Sequence, residues 1–535
     1  MGHLSGYDRH MEPKATPDLS IHVHAPTADR TVFFPGDTIA GQIRRQNHIV
    51  RPEVWLIIHL QGRSVARVQK KTGTGQSEIT HTYHTQYTLF PPRQVVCING
   101  SPVHIPPDNP EGQAWNFQMQ IPSHCCSPRL VGATMKSGWF AHNKQDPQMA
   151  FIPLDSQLPP ALPCSLWSYQ GRSSENQTTW VEYWLEAHLY DVSPYQGNVK
   201  HVAKARMPVT IYPEPLAGVQ PIRMLRFWSP NQVVRSQRLL AGREADKLSF
   251  KEKMFKMVRS SRVPRLGLRV IVDLPGGIQL GELVGLRLGL WRLQEPTSGT
   301  GDDSEEDEIY PDEKKKGKMK KREEAESDNR PDHQQGESSA QQQQQEPAEL
   351  GHDVKVRLTS LKIKIQGTTY VSVKGSVLNK YDLTKDSAIA RLVLSAPALS
   401  LPGGDGNGIE IPFVSEESLA DQRRSQQVDA PPPAYDSGKG KAKDSGKMID
   451  LGALLGIRFN MKWFEICGNR YPVEHYSSGS WSMRKPGNLV PDFTTYNIRR
   501  THSLVVKLGL EVAKEKVEVR FERGIEVLGA TGYSS

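Results

Sequence analysis

Pro432, Pro433 and Tyr435 are the residues of this chain whose types and spacing specify a chemistry most directly. They stand in "VDAPPPAYDSG" as Pro-Pro-Ala-Tyr, with Pro431 just before them. Consecutive prolines fix φ near the polyproline II value, so the run meets a partner with little backbone entropy left to lose. Two prolines suited to an aromatic groove, followed two positions on by a tyrosine, make the Pro-Pro-x-Tyr pattern that WW domains read. The chemistry is recognition, and Asp429 and Asp436 on either side keep the run exposed to water.

Nothing catalytic competes with it. No Gly-x-Ser-x-Gly, His-Glu-x-x-His or phosphate-cradling Gly-rich sequence stands in a strand-turn-helix context, and the chain reads as a non-enzyme without cofactor or metal. His22 and His24 alternate on one strand face without Cys or carboxylate partners and read as solvent-facing. The five cysteines (Cys97, Cys125, Cys126, Cys164 and Cys467) are odd in number and lack a Cys-x-x-Cys pair. That argues against a disulfide framework or zinc site and for a reduced, intracellular chain, with Cys164 a small buried hydrophobe. The basic run "KKKGKMKKR" (Lys314–Arg322) has no interleaved aromatics for bases to stack on, so it reads as solvated charge and no nucleic acid is expected as partner. Ser304, in the acidic run "DDSEEDE" just before it, fits an acid-directed kinase site.

The formal charge is +9, and Ile222–Arg262 alone carries +8 of it, eleven Lys/Arg against three Asp/Glu. Within that stretch, "KLSFKEKMFKMVRSS" has helical periodicity: Leu248, Phe250, Met254, Phe255, Met257 and Val258 on one side, Lys253, Lys256 and Arg259 on the other. A connecting helix docked by its apolar side is one reading. The other is a contact with cargo or an anionic membrane surface through Lys253, Lys256 and Arg259. The N-terminus lacks a signal-peptide block, and no apolar run approaches the length of a membrane span, which points to the cytoplasm.

The elements that position these residues are strands. "WVEYWLEAHLY" puts Val181, Tyr183, Leu185, Ala187 and Leu189 on one face and Glu182, Trp184, Glu186 and His188 on the other, wet face. Trp180 and Trp184 share that second face, which suits packing at a sheet edge or under a loop. "PRLGLRVIVDLP" aligns Leu266, Leu268, Val270, Val272 and Leu274, and "SLVVKLGLEV" aligns Leu504, Val506, Leu508, Leu510 and Val512. "DVKVRLTSLKIKIQG" gives Val354, Val356 and Leu358, then Leu361, Ile363 and Ile365, as another half-buried strand. Turn signals at Pro35–Asp37, Leu274–Gly277 and Leu401–Gly408 separate such runs, and the fold class is all-β, built of antiparallel β-sandwiches. Two tracts interrupt the second half, at about 295–351 and 415–447, where too few apolar residues stand to offset ordering entropy, so both are expected as disordered insertions.

The collinear order of several segments resembles fungal α-arrestin-like adaptors. "TVFFPGDTIAGQI" (Thr31–Ile43) resembles the family's first hairpin, and "HTYHTQYTLF", "WNFQMQIP" and "LPCSLW" are similar to the segments that follow. "RSQRLLAG", "VPRLGLRVIVDLPGGIQLG" and "PDFTTYNIRRTHSLVVKLGLEV" are similar to the opening and closing of the family's second domain. The resemblance implies an arrestin-like sandwich over 15–215, a basic linker over 216–262 and a second sandwich over 263–525 carrying both insertions. It further implies an adaptor that recruits a WW-domain HECT ubiquitin ligase through Pro432, Pro433 and Tyr435 to the cytosolic regions of membrane transporters or receptors, promoting their ubiquitination and endocytosis. Such a protein is cytoplasmic and recruited peripherally to plasma membrane or endosomes. A ligase-independent trafficking or signalling scaffold of the same fold is the alternative, and it differs in having no need of Tyr435.

Overall fold

Alternating side chains become antiparallel strands along nearly the whole described chain. The computed structural model describes residues 14–25, 32–73, 79–107, 109, 111–126, 151–152, 160–172, 175–192, 199–213, 218, 221–240, 263–293, 354–371, 381–386, 394–395, 408–414, 448–475, 485–486 and 489–530. The first half contributes β1 (Ser20–Val23), β2 (Thr38–Arg45), β3 (Ile49–Thr72), β4 (Ile79–Thr88), β5 (Arg93–Ile105), β6 (Gln113–Gln120), β7 (Leu166–Arg172), β8 (Glu175–Val192) and β9 (Val199–Val209). β1, β2 and β6 make a three-stranded sheet. In the six-stranded sheet, the long β3 and β8 pair along Val54–Lys70, and each carries two shorter strands end to end on its other side. These are β5 and β4 on β3, and β9 and β7 on β8. Ile39, Ile43, Phe117 and Met119 of the small sheet face Leu56, Ile58, Leu60, Leu185 and Leu189 of the large one in a shared core.

The second half runs β10 (Met224–Trp228), β11 (Gln232–Arg235), β12 (Arg265–Pro275), β13 (Gly277–Gln279), β14 (Arg287–Arg292), β15 (Val356–Val371), β16 (Tyr381–Asp386), β17 (Leu394–Ser395), β18 (Ile409–Ile411) and β19 (Ile449–Asp450). A short helix α1 (Leu451–Leu455) follows, then β20 (Arg458–Phe459), β21 (Trp463–Ile466), β22 (Asn469–Pro472), β23 (Glu474–His475), β24 (Lys485–Pro486), β25 (Phe493–Thr494), β26 (Ile498–Val512) and β27 (Glu515–Leu528). One sheet orders β10-β12-β14-β19 with β11 beside β12; the other is built on β27-β26-β15. Leu268, Val270, Val272, Leu288 and Leu290 of the first share a core with Leu361, Ile363, Leu504, Val506 and Leu508 of the second. Among the described residues no sheet mixes strands from the two halves.

Local chemistry explains the corners. At Pro35–Gly36–Asp37 the Asp37 carboxylate accepts from the Phe34 N–H at 2.8 Å while Gly36 takes φ +88°. The phase slip in "DVKVRLTSLKIKIQG" is a β-bulge: opposite β26, Leu358 pairs with Leu510 and Ser360 with Gly509, leaving Thr359 as the extra residue. Buried residues on both sides of the slip therefore face the same core.

One expectation fails on β8. Glu182, Trp184 and Glu186 are buried, so their face is not wet there. Arg63 reaches across from β3 to grip Glu182 (Nε 2.6 Å, Nη2 2.5 Å), Trp180 donates to the same oxygen at 3.2 Å, and the Arg63 guanidinium lies over the Trp184 ring. Both tryptophans stand on an interior strand, not a sheet edge, and help to bury the ion pair.

The two halves meet around the turn before β26. Asn497 is fully buried; its side-chain oxygen accepts from Ser64 Oγ at 2.7 Å, and its Nδ2 donates to the carbonyl and hydroxyl oxygens of Thr85, both at 3.3 Å. Beside it the Tyr496 hydroxyl donates to the Cys126 carbonyl at 3.1 Å, and its ring packs on Tyr87.

Candidate functional site

Pro432, Pro433 and Tyr435 lie outside the described residues, as do Lys253, Lys256, Arg259 and Ser304. The ends of the segment that carries the proline motif are well defined, and they are built on β14. One edge of β14 pairs with β12. On its other edge, Val414 donates its N–H to the Leu290 carbonyl (2.8 Å) and Leu290 donates to Pro412 (3.2 Å), while β19 pairs with Arg287 and Leu288. The chain therefore leaves and re-enters the fold at neighbouring points, either side of Gly289.

Gly289 is what allows this. A Cβ there would lie 2.6 Å from Val414 Cγ2 and 3.0 Å from Met448 Cγ, so the two anchoring side chains occupy the space a larger residue would take. Val414 and Met448 form a buried cluster with Ile271, against which Trp291 packs. Below it Arg226 holds Asp273 in a bidentate pair (2.8 and 3.0 Å) and directs Nη2 to Met448 Sδ at 3.6 Å. The pair neutralises the buried carboxylate and fixes one wall of the anchor.

Next to this anchor the sheet is incompletely covered. The Trp228 ring stands edge-to-face with Trp291, centroids 6.1 Å apart, and is 39 % exposed. Arg269 shares the face and donates its Nε to Asn231. The exposure of Trp228 was not foreseeable from its sequence neighbourhood; only the pairing of β10 with β12 puts it beside Trp291.

A second polar cluster, on β8 and β9, was also illegible in the sequence. Glu186 accepts from Gln61 (3.1 Å), Lys204 (2.5 Å) and Arg206 (3.2 Å), with His188 Nε2 at 3.4 Å. Burial raises its pKa, but these donors outweigh burial and hold the carboxyl far below the ordinary carboxylate range. With its lone pairs shared among cations, Glu186 is suited to fastening strands and poorly placed to take a proton in catalysis. His188 and His201 meet at 3.1 Å, and burial together with the neighbouring His188 lowers the pKa of His59 and of His201.

Of the residues read from sequence, Cys164 is buried with its thiol pKa pushed up by burial to about 12, in keeping with an inert role, and His22 is exposed. All five cysteines are free thiols. Among the described residues no group of three or more His, Cys, Asp or Glu side chains is arranged to hold a metal ion. No protein-family model matches this chain, and no curated protein is significantly similar to it.

Proposed function

We propose that this chain is an arrestin-related adaptor that uses Pro432, Pro433 and Tyr435 to bring a WW-domain HECT ubiquitin ligase to membrane-protein cargo, promoting ubiquitination and endocytosis. The observation that supports it is the placement of the motif's segment. Ser415–Lys447 runs between Val414 and Met448, which lie side by side at the edge of a sheet. Two arrestin-like sandwiches would engage cargo, and the basic stretch with Lys253, Lys256 and Arg259 would add a contact to cargo or an anionic membrane surface. Tethering raises the effective concentration of ligase at the cargo, so a modest WW affinity suffices once a second contact exists. Phosphorylation of Ser304 would deepen the negative charge of the run that precedes Lys314–Arg322 in sequence and offers a point of regulation. No helix among the described residues is long and apolar enough to cross a membrane, and peripheral recruitment from the cytoplasm fits this reading.

The test is affinity capture from a fungal lysate with the wild-type chain beside Tyr435→Ala. Recovery of a HECT ligase by the wild type alone supports the adaptor. Equal recovery by both, or by neither, would sink it and favour a ligase-independent scaffold.

A further inference from the structure

We propose that the outer face of the sheet formed by β10, β11, β12 and β14 binds the chain's own Pro431–Tyr435 run, so that this face and a WW domain compete for one ligand. The inference rests on the reading of Pro432, Pro433 and Tyr435 as a WW ligand.

The face is defined by register. Directly opposed residues of an antiparallel pair lie on the same side of a sheet. Val233 opposes Gly267, Trp291 opposes Arg269, and Trp228 opposes Ile271, all on the side away from the buried Leu268, Val270 and Val272. Leu293, hydrogen-bonded to Gly267, fills the space over that glycine, where a Cβ would lie 3.1 Å from it. The result is a strip from Val233, 55 % exposed, through Leu293 and Trp291 to Trp228, 39 % exposed. It needs a flat apolar ligand that stacks on indole, and proline in a polyproline II run is the side chain that aromatic grooves select.

The occupant follows from where the chain runs. The strip ends at Ile271, against which both Val414 and Met448 pack, so the segment's two ends rise at its border. Sixteen residues lie between Val414 and Pro431 and twelve between Tyr435 and Met448, so either arm reaches every point of the strip. A five-residue polyproline II run covers about 12–15 Å, and the strip from Gly267 to Ile271 extends about 13 Å along β12. Charges agree as well: Arg269 stands in the strip, in no ion pair with a carboxylate among the described residues, while Asp429 and Asp436 flank the prolines. Because the ligand is tethered at both ends, its effective concentration is of millimolar order, and a contact too weak to detect between separate molecules still competes within one.

The experiment titrates one recombinant WW domain of a HECT ligase against a synthetic peptide of residues 425–440, the full chain, and full chains carrying Trp228→Ala, Val233→Asp or Tyr435→Ala. The peptide is expected to bind, the full chain to bind about tenfold more weakly, both face variants to return to within about twofold of the peptide, and Tyr435→Ala to show no binding. Val233 is more than half exposed, so its substitution tests the face without disturbing the tryptophan pair. A peptide that fails to bind would overturn the WW reading itself. A full chain as tight as the peptide, or a weaker one unaffected by either face variant, would overturn self-binding while leaving the WW reading intact. A concentration-dependent dimer dissolved by Trp228→Ala would assign the face to a second copy and overturn it equally.

Discussion

Asn497 serves five groups with one amide: it accepts from the Ser64 and Thr495 hydroxyls and donates to the Ser64 carbonyl and to the carbonyl and hydroxyl of Thr85. Truncation to alanine would remove these bonds from a buried joint, and each buried group left unsatisfied costs about 1–3 kcal/mol. Asn497→Ala should therefore lower the urea midpoint clearly, with an m-value close to that of the wild type. A change within error would show that water enters and substitutes for the amide. His502 gives the pH counterpart. Its side chain is wholly buried, and burial, with Arg500 adding to it, lowers its pKa despite the hydrogen bond to Asp492. His59 and His201 shift the same way. A histidine whose folded pKa is depressed takes up its proton first in the unfolded chain, so stability is full above about pH 6.5 and falls as pH drops through that value. Denaturation midpoints measured from pH 7.5 to 5.5 should decline, and His502→Gln should flatten part of the decline; a flat wild-type profile would contradict this.

At the scale of elements, alternation was legible and burial was not. The strands around Leu266–Leu274 and Leu504–Val512 could be read off because one apolar residue in two is enough to mark a sheet's inner face. Even the bulge at Thr359 is written as a change of phase in the apolar pattern. On β8 the same pattern misled, because Glu182 and Trp184 look like a wet face until Arg63, over a hundred residues earlier, is brought beside them. Pairing between distant strands carries no local signal. Gly289 gives an element-scale prediction. Gly289→Ala forces Val414 and Met448 apart, with the cost of about 1–3 kcal/mol typical of overpacking. Limited proteolysis should then cut within 415–447 faster and reach into β19; an unchanged digestion pattern would mean the anchor can shift without loosening.

For the molecule as a whole, the all-β architecture was legible, whereas the joint between its halves was not. Ser64 and Asn497 are 433 positions apart, and nothing in either neighbourhood names the other. Most buried apolar residues of both halves nevertheless belong to one continuous core. Scanning calorimetry should accordingly give a single cooperative transition for the wild type. In a Tyr496→Ala/Asn497→Ala double variant, which removes the hydroxyl bond to Cys126 and the amide bonds to Ser64 and Thr85, it should split into two. Two resolved transitions already in the wild type would mean that the halves unfold independently.

The adjacency of Val414 and Met448 makes the intervening stretch a cassette. Since its entry and exit nearly coincide, doubling its length would alter the closure term by only about 0.6 kcal/mol. A lineage could lengthen it, shorten it or exchange its recognition sequence without renegotiating the fold. An engineer could place new chain termini there, or insert a different ligand for a different enzyme, and keep the rest of the molecule as it is.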